Sequence, residues 1–303
     1  MTDGDLTRHG DWTERAHAVA NALGARDGGA PPLREVGLLK KAGLVTLLGP
    51  AENGGAAQEW PVADRVVRII SAADAELGEL LARHYVLMKL STFIATEEKR
   101  DHIEEVATRA QWFFGGARDI RAGTLTIRDR GDDIVFDGRI TPSTASGVSD
   151  ITVLEGRLPD GSPISSLAMS THVGLAFEHD EDGTVTVRDA DIPWTGALGY
   201  VDKTFRPRAY NAFVAPALDL VLAEAALGRV RGLLGQGPGH PRTERELSAA
   251  ERRADVLSRD AGALHRRSAD LTAAEVAEHG LRVAELRAEA GQLAQAAETG
   301  ALR

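Results

Sequence analysis

The side chains best suited to acid–base chemistry in this 303-residue chain are His84 and Tyr85, which lie in a segment with helical spacing. A histidine titrates near neutral pH, so His84 is a candidate general acid or base. Asp119 is a third candidate for the same role. The alternative is that His84 is a buried helix residue held by a structural hydrogen bond, and that Tyr85 packs in the core. The residues alone leave both interpretations open.

A second group of polar residues is the acidic string Glu178-His-Asp-Glu-Asp182. Its carboxylates and imidazole are hard ligands, but their spacing matches neither an EF-hand nor a two-histidine facial triad. The string runs into Asp182-Gly183, a pair typical of hairpin turns. We therefore predict a turn and no metal site. We also find no glycine-rich nucleotide loop in a strand-to-helix context.

Composition excludes several classes of protein. The chain has 45 acidic and 35 basic residues, for a net charge of −10, which argues against general nucleic-acid binding. It has no cysteine, so disulfides, thiolate zinc sites, iron–sulfur clusters and cysteine nucleophiles are excluded. No apolar run approaches the 18 or so residues of a membrane span, and the polar N-terminus does not look like a secretory signal. These features predict a cytoplasmic protein with no membrane contact.

The hydrophobic pattern divides the chain into three parts. Residues 1–112 have mainly helical spacing, with one apolar stripe running from Trp60 through Leu81 towards Met88. In residues 113–205 the period changes to two, which predicts a small antiparallel β domain with a turn at Arg130-Gly-Asp-Asp133. Residues 206–303 return to alanine-rich helices. The predicted fold class is α+β, with a β domain between two helical domains.

Several local strings, in this order along the chain, resemble the acyl-CoA dehydrogenase superfamily, and most closely its flavin-dependent monooxygenase branch, which includes the dibenzothiophene monooxygenases. They are Leu33 to Gly55, Ile70 to Gly78, Leu80 to Tyr85, Trp112-Phe-Phe-Gly-Gly-Ala117, Gly138 to Asp150 and Val187 to Pro193. The resemblance implies that helical domain, β domain and C-terminal helical bundle are those of this superfamily. Compared with this superfamily, the C-terminal helical bundle looks shortened. We therefore expect either a naturally shortened form of the fold or a partner chain that supplies the missing wall of the site.

The resemblance also implies a function and a site. It implies a bound FMN or FAD, reduced flavin delivered by a separate flavin reductase, a small organic or natural-product substrate, and a homodimer or tetramer. The residues that it places beside the flavin are Trp112, Phe114, Gly116, Ser143 and Thr144, and those it places near the substrate are His84 and Tyr85. For Ser143 and Thr144 the alternative is a loop that satisfies its own backbone. Asp150 is expected to bond loop amides.

The sequence departs from the superfamily pattern at two loops. The segment Gly115-Gly-Ala-Arg-Asp119 has no hydroxyl or amide side chain where the family presents one, and carboxylates of 177–182 replace a cationic loop. Such carboxylates would repel a phosphate. Two alternatives therefore stay open: a cofactor-free enzyme of this fold that catalyses a cyclisation, elimination or isomerisation, with His84, Tyr85 or Asp119 as acid or base, and a non-catalytic partner subunit. All of the catalytic interpretations require a mainly apolar cavity where the β domain meets the helices.

Overall fold

A computed structural model describes residues 11–24, 31–118, 123–143, 147–178, 182–208, 210–235, 241–267 and 270–299. The N-terminal helices are α1 (Trp12–Ala22), α2 (Leu33–Lys41), α3 (Trp60–Ala73), α4 (Ala75–Met88), α5 (Leu90–Ile94) and α6 (Glu97–Arg109). The strands are β1 (Phe114–Gly115), β2 (Leu125–Arg130), β3 (Asp133–Ile140), β4 (Ile151–Arg157), β5 (Pro163–Met169), β6 (Leu175–Phe177), β7 (Val185–Pro193), β8 (Tyr200–Val201) and β9 (Thr204–Phe205). The C-terminal helices are α7 (Val214–Gly235), α8 (Pro241–Arg266) and α9 (Ala273–Glu298).

The apolar stripe that starts at Trp60 is divided between two helices at Asp74. This residue is in an extended conformation, with φ −147° and ψ 105°, and its carboxylate accepts the amide hydrogen of Leu77 at 3.0 Å. An aspartate in this position caps the first turn of a helix and so favours a new start. The prediction of one continuous stripe was therefore wrong at this point. The break sets the direction of α4, which carries His84 and Tyr85.

Seven strands of the described chain form one sheet, in the order β1-β4-β2-β3-β7-β6, with β5 paired to β4. Most pairs are antiparallel, and the β2–β3 hairpin turns at Gly131 and Asp132 as the sequence predicted. The predicted antiparallel pairing therefore holds for most of the sheet, but β4 runs parallel to both β1 and β2, which the sequence did not predict. Parallel neighbours need long connections, which no local turn signal reveals. Because of this pairing, β1 lies at the edge of the sheet, next to α4.

Helix α7 lies unusually close to α3 because two of its glycines face that helix. A methyl group added at Gly228 would lie 2.3 Å from the carbonyl oxygen of Arg68, and one at Gly232 would lie 2.1 Å from that of Ala72. No side chain fits in such a gap, so glycine is required at both positions. One turn before Gly228, this contact brings Glu224 of α7 against Arg68 of α3.

Arg68 and Glu224 form the centre of an ion-pair network inside the helical layers. The Arg68 guanidinium donates to both carboxylate oxygens of Glu224, at 2.6 and 2.8 Å, and to Asp255 of α8 at 2.8 Å. Glu224 is fully buried. Nearby, Ser258 donates to Asp64, whose carboxyl pKa is raised well above its usual value by burial. This network joins α3, α7 and α8.

Candidate functional site

His84 is completely buried on α4, and both of its ring nitrogens contact the main chain. Nδ1 accepts the amide hydrogen of Phe114 at 3.0 Å, while Nε2 lies 2.8 Å from the carbonyl oxygen of Val45. Since Nδ1 acts as an acceptor, the ring is neutral and carries its proton on Nε2, which donates to Val45. Burial lowers the pKa of His84 to about 4. The imidazole therefore ties the segment before α3 to the first strand of the sheet.

Tyr85 makes a similar contact one residue further on. Its hydroxyl donates to the carbonyl oxygen of Leu44 at 2.7 Å, and the side chain is fully buried. Burial raises the pKa of this phenol well above its usual value. His84 and Tyr85 thus hold two consecutive carbonyl groups of the same loop, in the arrangement of structural hydrogen bonds.

The aromatic residues at the start of the β domain pack around His84. Phe113 stacks on its imidazole with the ring centroids 4.7 Å apart. The ring of Phe114 is also buried, and its centroid lies 6.0 Å from that of His84. Trp112 is half-buried and meets Phe114 edge-on at 6.5 Å. Asp150 accepts the amide hydrogen of Phe113 at 2.7 Å, which confirms the predicted bond from this carboxylate to a loop amide. Lys40 pairs with the same carboxylate oxygen at 2.6 Å.

Two of the residues predicted to lie beside a flavin, Gly116 and Ser143, contact each other. The Ser143 hydroxyl donates to the carbonyl oxygen of Gly116 at 3.0 Å, and its amide donates to Asp182 at 2.9 Å. Both residues are buried. Thr144 and Asp119, the other predicted site residues nearby, lie outside the described residues. The segments around 116 and 143 therefore form one wall of the β domain, which faces the helices.

The acidic loop that was expected to repel a phosphate carries a compensating charge. Glu178 accepts from Arg139 at 2.9 Å and from the Thr186 hydroxyl at 2.6 Å. Residues 179–181 lie outside the described residues, but the strands on either side, β6 and β7, pair antiparallel as expected for a hairpin. At least one carboxylate of this loop is thus paired, so the expected repulsion is weaker than the sequence indicated.

A cavity of about 380 Å³ lies where the β domain meets the helical layers. The β side contributes Ala117, Arg118, Thr141 and Pro142; the helices contribute Arg83 from α4, Leu218, Asp219 and Leu222 from α7, and Arg287 from α9. A second cavity of about 610 Å³ shares Arg118, Leu222 and Arg287 with it and extends along α9 to Glu298. The predicted cavity is therefore present and has apolar lining residues, and arginines from three elements also line it, which the sequence did not predict.

Arg83 is the most buried of these arginines. It pairs with Glu79 one turn earlier at 2.9 Å, and it also donates to the carbonyl oxygen of Arg118. Burial lowers the pKa of Arg83, and the nearby charges of Arg118 and Arg287 lower it further, against the opposing effect of Glu79. The sequence analysis missed this group because the three residues are far apart in the chain. The one local signal was the position of Arg83 directly before His84.

Within the described ranges, no helix is both long and apolar enough to cross a membrane. In the same part of the chain, no three or more histidine and carboxylate side chains are grouped so that they could hold a metal ion.

Comparisons with known proteins identify the relatives of this chain. No family model matches it. It is 27% identical over 234 residues to a dibenzothiophene monooxygenase from Rhodococcus qingshengii, which covers 68% of this chain but 55% of that relative. It is also 23% identical over 158 residues to a probable FMNH2-dependent monooxygenase, SfnC, from Pseudomonas putida, covering 51% of this chain and 40% of the relative. The chain thus spans about half the length of these relatives.

Solved structures show the same fold. FMN-bound TdsC from Paenibacillus sp. A11-2 superimposes with a TM-score of 0.80 at 20% sequence identity, over 93% of this chain and 84% of TdsC. A second crystal structure of TdsC, with a TM-score of 0.81, names that protein a dibenzothiophene monooxygenase. The α+β fold of this chain is therefore acyl-CoA dehydrogenase-like, and its homologues are flavin-dependent monooxygenases, which confirms the resemblance predicted from the sequence.

Proposed function

We propose that this chain, whose homologues are flavin-dependent monooxygenases, is itself an oxidoreductase that uses reduced FMN or FAD to oxygenate a small organic or natural-product molecule. The observation that supports this most directly is the cavity of about 380 Å³ between Ala117, Pro142 and the helices. Its volume lies in the usual range for small-molecule sites, and a second cavity adjoins it. Its lining residues Ala117 and Pro142 are the chain neighbours of Gly116 and Ser143, two of the positions predicted to lie beside the flavin.

The charge of the cavity suits a flavin. The predicted flavin positions Gly116 and Phe114 are themselves buried, and a methyl group at Gly116 would lie 3.3 Å from Val153, so the residues that support a flavin are those that line the cavity. The arginines of the cavity wall complement a cofactor that carries a phosphate. When bound, a reduced flavin supplies the electrons that activate dioxygen. The protein's part is to position the reactants and to exclude water from them.

Within this proposal, His84 and Tyr85 are positioning residues. Both nitrogens of His84 and the hydroxyl of Tyr85 contact main-chain atoms, and His84 is neutral at physiological pH since its pKa is about 4. A neutral imidazole with both nitrogens occupied has no site from which to exchange a proton with a substrate. We assign these residues the role of fixing the loop at Leu44 and Val45 against β1, which orients the β wall of the cavity.

The remaining parts of the proposal concern partners and location. Because the relatives include an enzyme named as FMNH2-dependent, we propose that a separate flavin reductase supplies the reduced cofactor. We also propose a homodimer or tetramer and a cytoplasmic location.

A titration tests the proposed function. Purified protein is expected to quench the fluorescence of FMN or FAD with a dissociation constant in the micromolar range. Leu222 lines both cavities, so Leu222→Trp is expected to fill the space and abolish quenching. Leu281→Trp, on the exposed face of α9, is the matched control and should bind as the parent does. Absence of binding of either flavin by the parent protein would overturn the proposal.

A further inference from the structure

The three arginines of the smaller cavity come from separate elements and converge on one space. Arg83 lies on α4, Arg287 on α9, and Arg118 follows β1 on the side of the β domain. Arg118 and Arg287 also line the adjoining cavity, so both point to the boundary between the two. Thr141 and Pro142, which precede Ser143, line the smaller cavity as well, and the amide of Arg118 donates to the carbonyl oxygen of Pro142 at 2.9 Å. The arginines therefore face the place where the proposed function puts its ligand.

The smaller cavity is lined by three arginines and one carboxylate, Asp219, and Glu79 pairs with Arg83 beside it. The adjoining cavity adds Arg229 and the carboxylates Glu76 and Glu298, so the positive and negative charges of the two linings are equal in number, and Arg229 pairs with Glu298. Across the described part of the chain, Arg118 and Arg287 make no salt bridge and no side-chain hydrogen bond. By contrast, Arg253 and Arg282 on the outer faces of α8 and α9 are paired with Glu289 and Asp260.

The contacts of Arg83 hold Arg118 in position. Its guanidinium bonds both Glu79 and the carbonyl oxygen of Arg118, so it fixes the main chain from which the Arg118 side chain extends. Its buried position leaves Arg118 and Arg287 as the guanidinium groups available to a ligand. Guanidinium groups bind carboxylates and phosphates through paired hydrogen bonds, and like charges held together repel until an anion lies between them.

We propose that Arg118 and Arg287 form an oxyanion subsite, which binds a carboxylate or phosphate group of the ligand in this cavity. The inference rests on the proposed function for the location of that ligand and extends it by naming the charged group. Such a group has two sources: the phosphate of the flavin, or an acidic group on the substrate. Arg83 is the positioning residue of the subsite.

Calorimetric titration of the full chain separates these sources. The probes are FMN, riboflavin, which lacks the phosphate, and benzoate, and the variant is Arg118→Gln/Arg287→Gln. Each lost charge-assisted pair is expected to weaken anion binding by roughly tenfold or more. Arg253→Gln/Arg282→Gln removes two surface arginines from the same helical bundle and is the matched control, which should bind every probe as the parent does. Thermal unfolding of each variant confirms that it is folded.

The outcomes are distinct. If the variant loses FMN but keeps riboflavin, the subsite binds the flavin phosphate; if it loses benzoate and keeps both flavins, the subsite binds an acidic substrate. If the parent binds neither flavin but binds benzoate through these arginines, the proposed function fails and the subsite stands. If the parent binds neither FMN nor benzoate, or the variant binds both as tightly as the parent, the inference is overturned.

Discussion

Two groups of arginines in this molecule have opposite surroundings. In the helical layers, Arg68 donates three hydrogen bonds to Glu224 and Asp255. At the junction with the β domain, Arg118 and Arg287 line open space and, within the described residues, make no salt bridge. The first group is paired and desolvated, whereas the second is unpaired and accessible. The comparison indicates that the first stabilises the fold and that the second is available to a ligand.

The same contrast separates two neighbouring residues of α4. His84 is fully buried, and its two nitrogens contact main-chain atoms of two other segments. Arg83 lines the cavity, and its pKa is lowered by burial and by the nearby charges of Arg118 and Arg287. Chemically versatile side chains are thus not by themselves the functional ones. What matters is whether the protein already satisfies them.

The largest effect is expected from Arg68→Met. This change leaves the Glu224 carboxylate buried without its partner, which should lower the free energy of unfolding by about 3–5 kcal/mol. Chemical denaturation measures the loss. The double variant Arg68→Met/Glu224→Leu removes both charges and should recover much of it, since an apolar pair replaces a buried ion pair at little cost. A loss below about 1 kcal/mol in the single variant would contradict the assignment of this group to stability.

A smaller effect is expected from acid, through the buried histidine of α8, the helix that supplies Asp255. The ring nitrogens of His265 are buried among aromatic rings with no hydrogen-bond partner in the described chain, and burial lowers its pKa to about 3. The unfolded chain, with a histidine pKa near 6.5, then binds more protons between about pH 6.5 and pH 3. Stability from this residue is therefore present above pH 6.5 and is lost as the pH falls through that range.

The variant His265→Phe isolates this contribution from those of other titrating groups. From pH 8 to pH 5 the parent should lose about 2 kcal/mol more unfolding free energy than the variant, because only the parent has this imidazole to protonate. Denaturation curves of both proteins at the two pH values give the difference directly. Parallel losses in the two proteins would show that His265 is not held neutral by the fold.

The smallest effect on stability is expected from Arg287→Gln, in the second group of arginines. Since Arg287 has no salt bridge among the described residues, its removal should change the free energy of unfolding by no more than about 0.5 kcal/mol. Repulsion with Arg83 and Arg118 is also relieved. A destabilisation comparable to that of Arg68→Met would show that Arg287 also stabilises the fold, which would contradict the distinction between the two groups of arginines.

The sequence predicted the order of elements well because the change of hydrophobic period is a local signal. The β2–β3 hairpin and the bond from Asp150 to a loop amide were predicted for the same reason. The parallel pairs of β4 and the convergence of Arg83, Arg118 and Arg287 were not, since both depend on contacts between distant segments. His84 shows most clearly what the sequence cannot predict. From the sequence it could be an acid–base group or a structural residue, and only the structure shows that both ring nitrogens contact the main chain.

The close contact of α7 with α3 at Gly228 and Gly232 also constrains how the cavity changes shape. With carbonyl oxygens of α3 directly against these glycines, and with Gly78 of α4 equally tight against Ser71, these three helices leave no slack for sliding. Leu218 and Leu222 of α7 line the cavity, so the position of this helix against α3 sets one side of it. Any side chain at Gly228 or Gly232 would push α7 away from α3 and shift that side, although neither glycine lines the cavity. The shape of the cavity thus depends on two residues that lie outside it.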